Sequence, residues 1–213
     1  MDHDEIFPMN LNQPDSAELA QVMVDVRGRN RNAIVQSLIE NGVPRAEAMR
    51  AVDEAISAND RRSRTLARTD VERFRHAASM LRKKDILILE RCGSQVSMAA
   101  ERAAEIAEDM QMAGYAYFTE LDLSKCLKNG MLQMSFTVNQ ALMNEEDDIV
   151  EGEIKVAEQV IEAMNRAGLQ CTWSGNVQDN LVIHLQWFER WQGSTTEKQN
   201  ARVTRPIGAR PRI

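Results

Sequence analysis

The chain has 213 residues, of which 43% are hydrophobic and 27% charged, and its formal net charge at pH 7 is −6. This length suffices for a buried core that needs no metal or disulfide to hold it together. The acidic balance excludes a surface built throughout to attract nucleic acid, although local basic patches are compatible with it.

The cysteines and the N-terminal residues indicate the compartment. The three cysteines are an odd number without CxxC or CxxxC spacing, so we expect reduced thiols rather than a disulfide framework or a zinc knuckle. The first residues are acidic and polar, unlike a secretory signal, and no run approaches the roughly 18 apolar residues of a membrane span. We therefore expect a soluble, cytoplasmic protein that does not associate with a membrane.

Three helices are predicted before residue 60. Apolar residues recur at helical spacing over 19–26 and again over 34–39, and Gly42 follows the second helix. The third helix starts at Pro44, because the first helical position needs no N–H. The pattern resembles a small bundle of the ubiquitin-associated type. Any amphipathic helical pair shares this pattern, so we favour a helical hairpin that packs on the rest of the protein.

Residues 57–68 are polar and rich in arginine, and we interpret them as a linker or a frayed helix end. The next helix has a clear start, since Thr69 and Glu72 form a capping box in which each side chain can satisfy a backbone N–H. We therefore divide the chain into an N-terminal helical segment at 1–60, an α+β domain at 61–191 and a basic tail at 192–213. The tail has few apolar residues, and we expect it to be disordered.

Strand-like and helical segments alternate from residue 86 onwards. This order, after an all-helical start, indicates an α+β fold with a mixed or mainly antiparallel sheet and helices on one face. The predicted strands are 86–89, 115–119, 131–138, 170–173 and 181–187. The predicted helices are 95–112, 121–128 and a long helix that follows the acidic loop 144–148. Gly168 terminates this long helix in a left-handed conformation. The stripe of the long helix that we expect to face inward is Val150, Ile154, Ala157, Ile161 and Met164.

The candidate catalytic groups are few. Cys92 lies at a strand-to-helix junction, where the helix N-terminus would lower the thiol pKa. Glu120 and Asp122 follow a strand, where two carboxylates could serve acid/base chemistry or bind a cation, with His184 as a base brought in by the fold. The simpler alternatives are a half-buried cysteine and an Asp122 that caps the next helix.

We therefore expect no enzyme, no cofactor and no metal site. The histidines and cysteines lack the paired spacing that zinc ligands usually show. No glycine-rich phosphate loop and no GxSxG motif occurs. A hydrolase-like enzyme that uses Cys92, or Glu120 with Asp122, is the alternative.

The densest basic stretch is 61–84, in which Asp70 and Glu72 are the only acids. Such a stretch suits phosphate or an acidic protein surface, so nucleic-acid binding through it is a second alternative. A solvated helix face is the simpler interpretation, and no aromatic platform for single strands interleaves with the arginines. We expect nucleic acid not to be the partner.

All three tryptophans lie near the C-terminal end, close to an arginine, and Trp with Arg is enriched in binding hot spots. Trp173 and Trp187 fall on predicted strands and can pack in the core, whereas we expect Trp191 to be exposed at the edge of the tail. The predicted binding residues are Tyr115, Asp122, Trp173, Trp187, Arg190 and Trp191.

Three segments, TDVERFRHAASMLRKKDILILERCG, GYAYFTELD and AGLQCTWSGNVQDNLVIHLQWFERW, resemble an uncharacterised bacterial family of unknown function over most of residues 30–191. Members of that family carry several cysteines around the Cys-Gly turn, whereas this chain keeps only Cys92 there. The resemblance implies a fold but no activity. The positions that fit are Thr69, Arg73, Cys92, Gly93, Gly114, Tyr115, Phe118, Asp122, Gly168, Leu169, Trp173, Gly175, Ile183, Trp187 and Arg190.

The preferred hypothesis is a non-enzymatic protein-binding module, such as an inhibitor or an immunity-type partner. It rests on the acidic charge, the missing catalytic constellation and the Trp/Arg cluster. We expect a protein partner, and we expect it to bind the C-terminal half, between Asp122 and Trp191.

Overall fold

The computed structural model describes residues 15–27, 30–93, 96–144, 146 and 148–192. The described residues of Arg68–Phe188 form one compact unit, which we call the sheet unit. Those of Asn12–Ala67 and Glu189–Ile213 form a second, which we call the helical unit. Apart from Gln192, the tail expected to be disordered lies outside the described residues. Within the described part of the chain, no helix has the length and apolar character needed to cross a membrane.

The helical unit contains the three predicted helices, α1 (Ser16–Arg27), α2 (Arg31–Glu40) and α3 (Arg45–Thr65). Pro44 occupies the N-cap position of α3. The helix then continues through residue 65, so the stretch from 57 to 65 is not a linker. No Gly or Pro interrupts it, and its buried side chains hold it on the helical core. That core consists of Leu19, Ala20, Met23, Val24, Ile34, Val35, Leu38, Ala48, Ala51, Val52 and Ala55.

The sheet unit has a five-stranded sheet with the order β1-β2-β3-β5-β4. Strands β1 and β2 are parallel, and each of the other neighbouring pairs is antiparallel, which confirms an α+β fold with a mixed sheet. The elements are α4 (Asp70–Arg82), β1 (Ile86–Leu89), α5 (Val96–Asp109), β2 (Gly114–Tyr117), α6 (Glu120–Asn129), β3 (Met131–Val138), the 3-10 helix η1 (Gln140–Leu142), α7 (Ile149–Arg166), β4 (Gln170–Thr172) and β5 (Leu181–His184).

Local signals in the sequence set several element ends. Thr69 and Glu72 form the predicted capping box, with the Thr69 hydroxyl accepting from the Glu72 N–H at 3.1 Å and the Glu72 carboxylate accepting from the Thr69 N–H at 2.8 Å. Gly168 follows α7 with a φ of 82°, a conformation that glycine adopts without steric cost. Both predictions are confirmed.

Helices pack on both faces of the sheet at its β1–β2 end. Helix α7 lies against the face of Gly114, where an added Cβ would come within 2.5 Å of Val156 Cγ2. On the opposite face Tyr115 and Tyr117 pack with the alanines of α5. We expected helices on one face of the sheet, and the structure has an additional helix, α5, on the other face. A connection between parallel strands must cross a face of the sheet, and α5 takes the face that α7 leaves open.

Candidate functional site

Cys92 does not have the environment of a reactive thiol. Its side chain is buried, and its Sγ donates a hydrogen bond to the Ala99 carbonyl oxygen at 3.3 Å. Burial raises the pKa of the Cys92 thiol, and the positive charge of Arg102 offsets only part of this effect. The pKa shift is therefore opposite to the one that a reactive Cys92 would need, because removal from water disfavours the thiolate more than nearby positive charge favours it.

Asp122 serves the cap of α6. Its carboxylate accepts hydrogen bonds from the Thr119 N–H at 3.0 Å and from the Thr119 hydroxyl at 2.7 Å, while the Thr119 oxygen accepts from the Asp122 N–H at 3.2 Å. This capping box stabilises the start of the helix. His184 is exposed on β5, where it pairs with Met131. Among the described residues, no group of three or more His, Cys, Asp or Glu side chains is placed to hold a metal ion.

The sheet unit holds two of the three tryptophans. Trp187 is buried, with its ring centroid 5.9 Å from that of Phe74 and 5.4 Å from that of Phe118. The Arg91 guanidinium lies 5.7 Å from the Trp187 ring centroid, within cation–π range. Trp173 is half-buried, and its indole N–H donates to two carbonyl oxygens of the loop that follows it. Both side chains therefore make contacts that hold the sheet unit together.

Arg190 and Trp191 belong to the helical unit. The Arg190 guanidinium donates to the carbonyl oxygens of Ser63 at 2.6 Å and Leu66 at 2.8 Å, which lie at the C-terminal end of α3. Trp191 is half-buried against the helical core, which corrects the expectation that it is exposed. Its position follows from its backbone N–H, which donates to the buried Asn59 side chain at 2.8 Å.

The predicted binding residues therefore all have internal contacts. Tyr115 is buried in the cluster with α5, and burial raises the pKa of its phenol. Trp187 is buried as well, and the remaining four are half-buried. Their part in binding a partner stays a prediction.

Several residues of the basic stretch 61–84 have carboxylate partners. Arg75 makes two hydrogen bonds to Glu90, at 2.9 and 2.8 Å. Lys84 lies 3.1 Å from Glu162. These contacts neutralise part of the positive charge that nucleic-acid binding would need.

The sheet unit also contains a groove that the sequence did not reveal. It lies between the end of β3, η1 and the first turns of α7, and it encloses about 420 Å³. Ligand pockets typically occupy about 300–1,000 Å³, so the groove is large enough for part of a ligand or peptide. We call it the α7 groove, and its main lining residues are Val138, Leu142, Met143, Asp148, Glu151 and Gly152.

Three local features shape the α7 groove. Asn139 is buried, and its side chain joins η1 to the preceding loop by donating to the Met112 carbonyl oxygen at 2.9 Å and accepting from the Ala141 N–H at 3.2 Å. Asp148 caps α7 by accepting from the Val150 N–H at 2.9 Å. Gly152 lets α7 approach β3 closely, since a Cβ there would lie 2.7 Å from Val138 Cγ1.

Apolar side chains are exposed on the first turn of α7 and in the α7 groove. Leu142, on its lining, is 42% exposed, and Ile149 and Val150, on the first turn of α7, are 43% and 50% exposed. Neighbouring exposed apolar side chains on a folded protein mark sites of interaction. Of the stripe expected to face inward, Ala157 and Met164 are buried, Ile154 and Ile161 are half-buried, and Val150 is exposed. The buried residues of α7 are Val156, Ala157, Val160, Ala163 and Met164.

Carboxylates surround the same groove. Glu146, Asp148 and Glu151 line it, and Lys155 is the one cation among the lining residues that the structure describes. The Lys155 ammonium is 2.6 Å from the Glu151 carboxylate. The groove therefore combines an apolar surface with an excess of negative charge. In the sequence, the acidic loop and the glycine inside the predicted long helix were the available signals, and neither by itself indicates a groove.

A family model matches residues 17–191, and it describes a domain of unknown function, DUF6891. The chain belongs to this family. The prediction that it is a member of an uncharacterised family is therefore confirmed. Neither a curated protein nor a solved structure matches the chain.

Proposed function

We propose that this chain is a non-enzymatic protein-binding module of the bacterial cytoplasm that receives a segment of its partner in the α7 groove. The observation that carries the proposal is the exposure of Leu142 in this groove, together with that of Ile149 and Val150, which lie on the adjoining first turn of α7 and not among the lining residues. A folded domain gains nothing from leaving these side chains in water, whereas a bound partner would cover them. An inhibitor or immunity-type role is one process that such a module would serve.

Covering this apolar surface would contribute a moderate free energy of binding. Full burial of a Leu, Ile or Val side chain is worth about 1.5–3 kcal/mol. Covering the exposed remainder of the three side chains would therefore contribute roughly 2–4 kcal/mol, before the cost of association. The groove would thus act as the anchor of a larger contact.

The cytoplasmic part of the proposal is supported by the thiols. Cys92, Cys126 and Cys171 are free, and all three are buried. Free buried cysteines are typical of proteins in a reducing compartment. The hydrolase-like alternative has no comparable support, because Cys92 is a buried thiol with a raised pKa and Asp122 is engaged in a helix cap.

The test is a comparison of tagged full-length proteins in their host. The groove variant L142S/I149S/V150S removes apolar surface from the groove lining and from the adjoining turn of α7 without touching a buried side chain. The control M98S removes a 64% exposed methionine from α5. We expect a stoichiometric partner, quantified by mass spectrometry, that the control retains and the groove variant loses. Circular dichroism should show the same helix content for all three proteins.

Two results would count against the proposal. One is that the native protein has no stoichiometric partner. The other is that the groove variant, still folded, retains its partner as fully as the control does.

A further inference from the structure

We infer that the segment received by the α7 groove is cationic, with an apolar side chain flanked by arginines or lysines. This inference rests on the proposed function and specifies its partner. It follows from the charge and the shape of the groove.

The charge of the groove favours a cation. Its described lining residues include three carboxylates, Glu146, Asp148 and Glu151, against the single ammonium of Lys155. The surrounding sequence is acidic as well, since residues 144–153 contain only Asp and Glu among their charged residues. These carboxylates would repel a bound anion, whereas a cationic segment would be attracted to them and would neutralise part of their charge.

The ion pair of Lys155 with Glu151 leaves Glu146 and Asp148 facing no cation among the described lining residues, although Asp148 also caps α7 through Oδ1. Both side chains of that pair are more than half exposed, at 63% and 65%, so water screens their attraction. A guanidinium presents five donors in a planar fork and binds carboxylates in pairs of hydrogen bonds. An arginine of the partner would therefore compete with Lys155 for Glu151 or bind its neighbours.

The shape of the groove favours an apolar side chain between the cations. Val138, Leu142 and Met143 supply an apolar lining, and Gly152 lets the first turns of α7 lie close against Val138. The carboxylates come from the loop before α7 and from its first turns. A segment with alternating apolar and basic residues matches both features.

The inference is tested with short synthetic peptides labelled for fluorescence anisotropy and titrated with the full-length protein. One peptide repeats Arg-Leu-Arg-Val, a second replaces Arg by Gln, and a third replaces Arg by Glu. We expect the cationic peptide to bind about three- to tenfold more tightly than the neutral one at low salt, and the difference to shrink as salt is added.

Two variants locate the effect. The carboxylate variant E146Q/E151Q should remove most of the preference for the cationic peptide and leave the binding of the neutral peptide unchanged. The control E105Q/E108Q removes two exposed carboxylates from α5, so it changes the net charge equally outside the groove. It should retain the preference.

Three outcomes would overturn the inference. They are equal binding of the cationic and neutral peptides, absence of binding by the cationic peptide, and an equal loss of preference in both variants, which would indicate attraction to the whole acidic protein. None of these outcomes decides the proposed function, which depends on the separate loss of the native partner from L142S/I149S/V150S.

Discussion

Replacing Asn59 by alanine should destabilise the helical unit. The Asn59 side chain is fully buried, and its Nδ2 donates to Asp25 Oδ1 and to the Glu189 carbonyl oxygen, each at 2.9 Å. Its Oδ1 accepts from the Trp191 N–H at 2.8 Å. One amide thus joins α1, α3 and the segment that starts at Glu189, and no shorter side chain can replace it.

The magnitude follows from these three bonds. A neutral hydrogen bond contributes about 0.5–1.5 kcal/mol net, and one to a charged group about 1.5–3 kcal/mol. Two neutral bonds and one to the Asp25 carboxylate sum to about 2.5–6 kcal/mol. We expect the free energy of unfolding of N59A to fall by roughly 4 kcal/mol, a large part of the total for a small domain.

Urea denaturation followed by circular dichroism measures this loss. The control S57A changes an exposed position on the same helix and should shift the free energy of unfolding by about 0.5 kcal/mol or less. A loss below about 1 kcal/mol for N59A would refute the reasoning, because it would mean that the buried network adds little to stability.

Two further predictions concern ionisable groups. Burial raises the pKa of Asp25 above 3.8, so its contribution to stability is fully present below pH 3.8 and is lost as the pH rises through its pKa in the folded protein. Denaturation at a series of pH values should therefore show D25N gaining stability relative to the native protein between about pH 4 and 7; a constant difference would contradict this. Burial also raises the pKa of Cys126 to about 11 and that of Cys171 to about 12. At pH 8 a disulfide reagent should modify the thiols of the folded protein far more slowly than those of the protein in urea. Rapid modification of the folded protein would contradict this prediction and would indicate a reactive cysteine.

The candidate site shows where prediction from sequence ends. The Trp/Arg cluster was a reasonable hypothesis, because those residue types dominate binding hot spots. The same side chains also suit a core, and in the structure Trp187 packs with Phe74 and Phe118. Composition cannot distinguish these uses, because the difference lies in which neighbours the fold supplies.

The sequence by itself determined the local structure of this protein. The capping box at Thr69, the glycine after α7 and the alternation of elements all depend on residues that are close in the sequence. They can therefore be predicted without knowledge of the tertiary structure. Only the tertiary structure decided which side of α7 is buried. That helix carries apolar residues on more than one side, and Val150 is left exposed, whereas Gly152 lies against Val138 of β3 and Val156 lies against Gly114 of β2. The α7 groove is a consequence of that contact between distant segments, which no local pattern specifies.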